Sequence, residues 1–364
     1  MDRNYIAAPS VVRVEFALEP VMSQLESIAL ITQVDRLSGL GDWVVNTHDA
    51  LSPENLILQS VLVKLTGSMI HSFYLPRPEH RTVLEYIDWL ATQDLSRYFE
   101  MMLDEWLTYL AEDEDWQALG RPMPTTDKLM SDRAAFIDFV PAATEIEAGE
   151  ELWSEAFDLL HAPTQLVAKL RDHVLYLWEQ FLAEEWERAL PSLRESVEAF
   201  SRMHMLNLTL YEAIRTVTGR DMRGKFSSKE EAAERIVFIP SPHLGPYVSR
   251  VSQGSTMFLG YGARLPRGVQ TTASPLSRSE LLIRMNALAD DTRLRILEML
   301  TEREEMCAQE IIEALSLSQS SVSRHLSQLS ATGFLSERRR EVSKCYSLNT
   351  ERIVDTVRAL TNFL

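Results

Sequence analysis

The sequence predicts a mainly α-helical protein with a small β-sheet, and three observations lead to this fold class. After Pro20, apolar residues recur at helical spacing for roughly two hundred residues. Short β-type runs flank this region at Val11–Leu18, Ile236–Pro240 and Thr256–Tyr261, and they can pair as one sheet packed on the helices. Near the C-terminus, a helix with a polar outer face precedes a basic hairpin, which indicates a separate domain.

Length and composition allow at least two domains. The chain has 364 residues, of which 45% are hydrophobic, so it can bury sizeable cores. We predict an α-rich domain with minor β-structure at residues 1–265 and a second domain at residues 277–364. Residues 266–276 are predicted to be the linker, because the segment is polar, contains Pro and Gly and lacks periodicity.

The charge is distributed unevenly along the chain. The net charge is −17, but residues 276–364 carry 12 Lys and Arg against 13 Asp and Glu. The acidic excess therefore belongs to the predicted N-terminal domain. A locally basic patch on a near-neutral domain is compatible with nucleic-acid binding, while an acidic companion discourages indiscriminate binding.

Two cysteines, Cys307 and Cys345, are too few for a disulfide framework and fit a reducing compartment. The N-terminus lacks an apolar core behind a basic start, so no signal peptide is expected. The most apolar stretch is interrupted and too short to span a bilayer, so we expect a cytoplasmic protein without a membrane partner.

The predicted C-terminal domain contains three helices, a hairpin and a further helix. The helices are predicted at Leu281–Leu300, at Cys307–Leu315 and from Ser318, which can cap the third. Along the third helix, Val322, Leu326 and Leu329 fall on one buried stripe. This order predicts a winged helix-turn-helix with a three-helix core, a β-hairpin wing and an extra terminal helix.

The third helix carries small polar residues on the side opposite its apolar stripe. Hydroxyl, amide and guanidinium groups of this kind contact phosphates and base edges. A merely solvated Ser- and Gln-rich surface is the alternative, but Lys and Glu would be more usual there. The predicted DNA-binding residues on this helix are Ser318, Gln319, Ser320, Ser321, Ser323, Arg324, His325, Ser327 and Gln328.

A basic hairpin follows the stop at Ala331-Thr332-Gly333. We predict strands at Phe334–Arg339 and Lys344–Leu348. The predicted phosphate-binding or minor-groove residues of this wing are Arg338, Arg339, Arg340 and Lys344. The final helix, from Thr350, has one apolar stripe and little to cover it, which indicates pairing with a second copy. The predicted dimer-contact residues are Ile353, Val354, Val357 and Leu360.

This domain resembles the ArsR (arsenical-resistance repressor) family of winged-helix regulators. The segments that carry the resemblance are LADDTRLRILEML (288–300), SLSQSSVSRHLSQLSATGFL (316–335) and RRREVSKCYSL (338–348). The resemblance implies a homodimer that uses its first and last helices for contact, with the helix from Ser318 as recognition helix. It also implies a repressor of nearby genes that binds an operator in double-stranded DNA and is released by a ligand or metal.

The sequence departs from the metal-sensing members of that family. Those members carry a Cys-x-Cys box, whereas EMCAQEI supplies Cys307 but has Gln309 at the second position. The last helix lacks His. A single thiolate is a poor site for a soft metal, so we expect Cys307 to be a buried or helix-start residue rather than a metal ligand, and we expect neither metal nor cofactor.

Two interpretations remain for the N-terminal domain. It can be a sensor or interaction domain for an unknown small-molecule or protein effector, or an enzyme fused to its regulator. No metalloprotease, P-loop or nucleophile-elbow motif occurs, and the eight histidines are scattered, so we expect no enzyme. An apolar and aromatic pocket would favour the sensor, whereas converging carboxylates or histidines would favour the enzyme.

Overall fold

A computed structural model of the chain divides into two compact units. The helical unit comprises residues 20–32 and 47–186, and the sheet–winged-helix unit comprises residues 1–19, 33–46 and 187–364. The structure describes residues 11–364 apart from 38–39, 72–81, 94, 96–97, 113–115, 118, 145, 147, 221, 224, 246, 267–277, 304 and 341–342. The predicted linker therefore lies outside the described residues, except for Pro266.

The helical unit consists of consecutive helices. They are α1 (Pro20–Leu30), α3 (Pro53–His71), α4 (Val83–Leu90), α5 (Tyr98–Glu112), α6 (Thr126–Ser131), α7 (Arg133–Thr144), α8 (Glu150–Leu160) and α9 (Pro163–Leu177), with α2 (Asp42–Ala50) and α10 (Ala183–Ser201) crossing its boundaries. The start of helix α3 is capped by Ser52, whose hydroxyl accepts a hydrogen bond from the Asn55 backbone N–H at 3.3 Å. A π-helical turn, Trp178–Leu182, joins α9 to α10.

Aromatic side chains form much of the core of the helical unit. Tyr86, Phe136 and Trp153 are almost completely buried. Two buried polar side chains pair with each other: His173 Nε2 lies 2.6 Å from Gln59 Oε1, and Gln59 Nε2 donates to the carbonyl of Ile28 at 2.8 Å. These contacts make His173 part of the scaffold, and burial lowers its pKa to about 4.

A four-stranded sheet occupies the N-terminal part of the other unit. Its strands are β1 (Arg13–Phe16), β2 (Arg235–Ser241), β3 (Val248–Gln253) and β4 (Thr256–Gly262), in the order β1-β2-β4-β3. Strands β1, β2 and β4 are parallel, and β3 pairs with β4 in the antiparallel sense. The predicted small sheet is confirmed, with β3 added to it.

Helices α10 and α11 (Leu210–Thr218) cover a buried face of this sheet, and the short helix α12 (Ser228–Glu231) follows. Phe16 stacks between Phe200 and Phe238, with ring centroids 5.3 Å apart in each pair. The Ser196 hydroxyl lies 2.9 Å from the Tyr261 hydroxyl, so a hydrogen bond ties α10 to β4 inside the core. Apolar burial on this scale is what stabilises a small sheet.

The last part of the chain is a winged helix-turn-helix. Its elements are α13 (Arg278–Leu288), α14 (Asp291–Glu302), β5 (Met306–Cys307), α15 (Ala308–Leu315), α16 (Gln319–Ala331), β6 (Leu335–Arg340), β7 (Ser343–Leu348) and α17 (Thr350–Phe363). The three strands pair in the order β5-β7-β6. The predicted order of helices, hairpin and terminal helix is confirmed.

The prediction of one helix over Leu281–Leu300 is wrong, because the chain breaks after Leu288. Asp290 has extended backbone angles, and its side chain accepts a hydrogen bond from the Arg293 backbone N–H at 2.9 Å. It is therefore the N-cap of a new helix. The next helix begins at Ala308 rather than Cys307 for a similar reason, since Cys307 is its cap.

Within the described parts of the chain, no helix is long and apolar enough to cross a membrane.

Candidate DNA-recognition surface

Helix α16 is anchored through the apolar stripe that its sequence predicts. Val322, Leu326 and Leu329 are almost completely buried in the winged-helix core. Ser318 caps the helix, because its hydroxyl accepts from the Ser321 backbone N–H at 3.3 Å. The helix ends before Gly333, whose positive φ of 78° permits the sharp turn into β6. The local sequence therefore determines where α16 begins, ends and packs.

Most of the predicted polar side chains of α16 are exposed. The exposed residues are Ser318, Gln319, Ser320, Ser323, Arg324 and Ser327, whereas Ser321 is half-buried. The hydroxyls of Ser318 and Ser320 lie 3.2 Å apart at the start of the helix. This exposed set offers donors and acceptors of the kinds that read base edges and phosphates.

His325 is not on the exposed face, which corrects its predicted position. Its side chain is buried, and Nδ1 lies 3.5 Å from a carboxylate oxygen of Asp290. Burial lowers the pKa of His325, the Asp290 carboxylate opposes that shift, and the nearby Arg293 and Arg324 reinforce it. His325 therefore belongs to the support behind α16.

Gln328 also has an internal partner. Its side chain is half-buried, and Oε1 accepts a hydrogen bond from Arg293 Nη1 at 2.8 Å. The Gln328 amide is therefore engaged inside the domain. The helical spacing that puts Gln328 on the side opposite the apolar stripe does not reveal this contact.

Arg293 is the structural residue that sequence reasoning missed. Its guanidinium is buried and donates to the carbonyls of Ala287 and Asn286, at 2.6 and 2.8 Å, as well as to Gln328. It thus joins the end of α13, the start of α14 and the side of α16. Burial lowers the pKa of Arg293, and the carboxylate of Asp290 partly offsets that effect. The one signal in the sequence is the Asp290 cap, which fixes Arg293 in the first turn of α14.

The wing is the predicted antiparallel hairpin of two strands. Arg339 lies opposite Lys344, and Arg338 lies opposite Cys345. Lys344 is exposed. The side chains of Arg338, Arg339 and Arg340 lie outside the described part of the structure, and so do residues 341–342, which join the two strands. The backbone still places these arginines along one strand that leads away from α16.

Cys307 and Cys345 form a disulfide bond, which the sequence did not predict. Cys307 and Cys345 are register partners of β5 and β7, and both are buried. Their separation of 38 residues gives no hint of this pairing, because strand register creates it. The prediction that Cys307 is a buried helix-start residue is confirmed.

Gln309 stands where the metal-sensing members have their second cysteine, and its side chain has a partner on its own helix. Gln309 Nε2 donates to Glu313 of the next helical turn at 3.1 Å. Among the residues that the structure describes, no group of three or more His, Cys, Asp or Glu side chains is arranged to hold a metal.

Helix α17 leaves part of its apolar stripe exposed. Val354 and Val357 are 47% and 56% exposed, whereas Ile353 and Leu360 are half-buried. Ile353 packs against the core of its own winged helix. The four predicted contact residues therefore divide into two that are exposed and two that are partly covered within the chain.

Comparisons with known proteins agree with this geometry. The family model described as "Bacterial regulatory protein, arsR family" matches residues 290–337. The transcriptional repressor SdpR of Bacillus subtilis is 35% identical over 78 residues, which cover 21% of this chain and 86% of SdpR. The chain belongs to the ArsR family. The match runs through the segments from α14 to β6 that form the core and outer face described above.

Two further ArsR-family relatives are the arsenic resistance transcriptional regulators ArsR1 and ArsR2 of Pseudomonas putida. They are 44% and 40% identical over 64 and 65 residues, in each case 18% of this chain. The chain spans 50% and 56% of their lengths, or about half. A solved structure of reduced HlyU from Vibrio cholerae is 32% identical, covers 21% of this chain and 81% of that chain, and has a TM-score of 0.19.

Proposed function

We propose that this protein is a sequence-specific DNA-binding transcriptional regulator that acts as a dimeric repressor. The observation that carries the proposal is the exposed polar face of α16, held by a buried apolar stripe and by Arg293. A rigid helix with small polar side chains and one guanidinium outward suits the major groove. Family membership supports the same assignment.

Base reading and backbone binding fall to different residues in this proposal. Arg324 is the side chain best suited to guanine, while Ser320, Ser323 and Ser327 can contact either phosphates or bases. Lys344 and the strand that contains Arg338, Arg339 and Arg340 would contact phosphates. His325 is left out because it is buried, and Gln328 has a secondary part because Arg293 engages it.

Dimer formation would use the exposed apolar surface of α13 and α17. These helices contact each other, and Leu282 on α13 is 45% exposed, close to the exposure of Val354. Phe363 adds a further exposed ring near the end of α17. An isologous contact through this surface would present two copies of α16 to a pseudo-palindromic operator.

We propose that the N-terminal domain is a sensor rather than an enzyme fused to a DNA-binding module. The favouring observation is direct contact between the sheet region and the winged helix within one compact unit. Lys225 donates to Glu337 of β6 at 2.5 Å, and Arg220 Nη2 donates to the Ser330 carbonyl of α16 at 3.4 Å. Because these contacts involve α16 and β6, an effector bound to the N-terminal domain would be able to change the affinity for DNA through them.

The proposal is tested with the full-length protein and the DNA upstream of its own gene. Fluorescence anisotropy on that duplex and on a shuffled duplex, over a series of salt concentrations, should give a tighter and salt-sensitive complex with the former. Equal affinity for both duplexes, or no complex at low salt, would refute sequence-specific regulation at that site.

A further inference from the structure

A lysine of the N-terminal domain reaches the wing of the winged helix. Lys225 lies in the segment that joins α11 to α12, and its Nζ donates to a carboxylate oxygen of Glu337 on β6 at 2.5 Å. We propose that Lys225 holds the Glu337 carboxylate away from Lys344, so that Lys344 stays available for DNA phosphates. This inference rests on the proposed function, because it assigns a positioning residue to the same DNA surface.

The sheet core fixes the position of Lys225. Met222 and Phe226, which lie on either side of it in the chain, are buried in the core that the four-stranded sheet shares with α10 and α11. The backbone N–H of Lys225 donates to the Met222 carbonyl at 3.1 Å. The exposed side chain of Lys225 therefore extends towards β6 from an anchored backbone.

Glu337 is within reach of a second lysine, on its own hairpin. In the register of β6 and β7, Glu337 lies opposite Tyr346, and Arg339 lies opposite Lys344. Lys344 is therefore the diagonal neighbour of Glu337 on the same face of the hairpin, and long side chains can bridge such diagonal positions. Two lysines, one from the N-terminal domain and one from the wing, thus compete for one carboxylate.

The carboxylate is charged and only partly screened. Burial opposes the ionisation of Glu337, but the hydrogen bond and the charge of Lys225, together with the charge of Lys344, lower the pKa of its carboxyl below the usual value. The side chain is half-buried, so salt and water weaken its attraction for a neighbouring cation only in part. Glu337 therefore attracts Lys344 whenever Lys225 does not engage it.

Loss of Lys225 would turn Glu337 against DNA binding. Arg220 also experiences the charge of Glu337, but its Nη2 donates to the Ser330 carbonyl of α16. Lys344 is exposed, so its side chain can turn towards the carboxylate. A lysine that is paired with a carboxylate contributes less to a phosphate contact, and the carboxylate itself repels the phosphate.

A double-mutant cycle on the full-length protein tests this role. Fluorescence anisotropy measures affinity for the operator duplex at about 100 mM salt. Lys225→Gln should weaken the complex about threefold, which is the scale of one exposed charge pair. Glu337→Gln should bind at least as tightly as the wild type, because it removes the competing carboxylate. In the Glu337→Gln background, Lys225→Gln should have no further effect on affinity.

The matched control is Lys169→Gln, because Lys169 also forms an ion pair with a glutamate, Glu155 of the helical unit. It should leave the affinity for DNA unchanged. A Lys225→Gln variant that binds as tightly as the wild type, or more tightly, would overturn the proposal. An equal loss with and without Glu337→Gln would overturn it as well, since Lys225 would then contact DNA directly.

A second measurement follows Lys344. Lys344→Ala should weaken the wild-type complex about threefold but the Lys225→Gln complex much less, because Glu337 already engages Lys344 there. Equal losses in the two backgrounds would overturn the competition between the lysines. Failure of the proposed function would appear separately, as a wild type without specific, salt-sensitive binding, and the role of Lys225 would fall with it.

Discussion

Helices α16 and α17 leave opposite kinds of surface exposed in one small domain. The exposed face of α16 is polar, with Ser320, Ser323 and Arg324, whereas that of α17 is apolar, with Val354 and Val357. The polar face suits hydrated, charged DNA, and the apolar face suits a second protein surface. The difference supports a division of labour in which α16 contacts DNA and α17 contacts a second copy.

Both helices are nevertheless anchored by a buried arginine. Arg293 donates to Gln328 on α16, and Arg352 of α17 donates to the Thr332 carbonyl just after α16. Polar residues in this domain thus serve either as surface or as support, and residue type alone does not distinguish the two uses. Contacts made by residues distant in sequence decide which use applies.

The largest expected effect is on assembly. Val357→Glu should dissociate the proposed dimer, because it places an unpaired charge in an apolar contact at a cost of about 4 kcal/mol. Analytical ultracentrifugation measures the dimer dissociation constant. Leu206→Glu is the control, since Leu206 is 77% exposed and precedes the winged-helix segment of the chain. If Val357→Glu and the wild type associate equally, α17 is not the dimer helix.

The second largest expected effect is the loss of stability when the support behind α16 is removed. Arg293→Ala leaves two carbonyls and the Gln328 amide without their donor and should lower the free energy of unfolding by about 3 kcal/mol. Urea denaturation measures this loss. Arg295→Ala, at an exposed position of the same helix, should change the free energy of unfolding by less than about 0.5 kcal/mol. Similar losses in both variants would contradict a supporting role specific to Arg293.

Arg324→Ala should affect DNA rather than stability. The loss of one guanidinium from the reading face should cost about 2 kcal/mol at the operator, or about thirtyfold in affinity. Anisotropy on shuffled DNA should give a smaller loss. Equal losses on both duplexes would mean that Arg324 touches only phosphates.

His325 should make stability depend on pH. The pKa of His325 is lower in the folded protein than in the unfolded chain. As the pH falls below about 6.5, the unfolded chain therefore binds a proton that the folded protein does not, and the free energy of unfolding decreases. Urea denaturation at pH 7.5 and pH 5.5 should therefore give a larger drop for the wild type than for His325→Gln. His173 acts in the same direction in both proteins, so the difference isolates His325. Equal drops would contradict the burial of His325 as the cause.

The smallest expected effect is at the wing. Lys344→Ala should weaken operator and shuffled DNA alike and reduce the slope of log affinity against log salt by about one. Salt titrations of both complexes measure the slope. An unchanged slope would mean that Lys344 lies away from the DNA.

The winged helix was largely predictable because its signals are local. Val322, Leu326 and Leu329 recur at helical spacing, and Ser318 and Gly333 mark the ends of α16. The positions of His325 and Gln328 were not predictable in the same way, since Asp290 and Arg293 reach them from another helix.

Other features escaped sequence reasoning for identifiable reasons. The break before α14 was missed because apolar spacing continues across Asp290, although Asp followed by a helical first turn is a capping signal. Strand β3 was missed because Val248–Gln253 is mostly polar. The disulfide depends on strand register, which spacing along the chain does not encode.

Mapping which helix lies against DNA tests most directly whether α16 contacts DNA and α17 contacts a second copy. Ser323→Cys on α16 and Val354→Cys on α17 would each be labelled with a DNA-cleaving iron chelate, with the unlabelled wild-type protein as background control. We expect cleavage focused within the operator from Ser323→Cys and background cleavage from Val354→Cys. Focused cleavage from Val354→Cys, with none from Ser323→Cys, would contradict this assignment of the two helices.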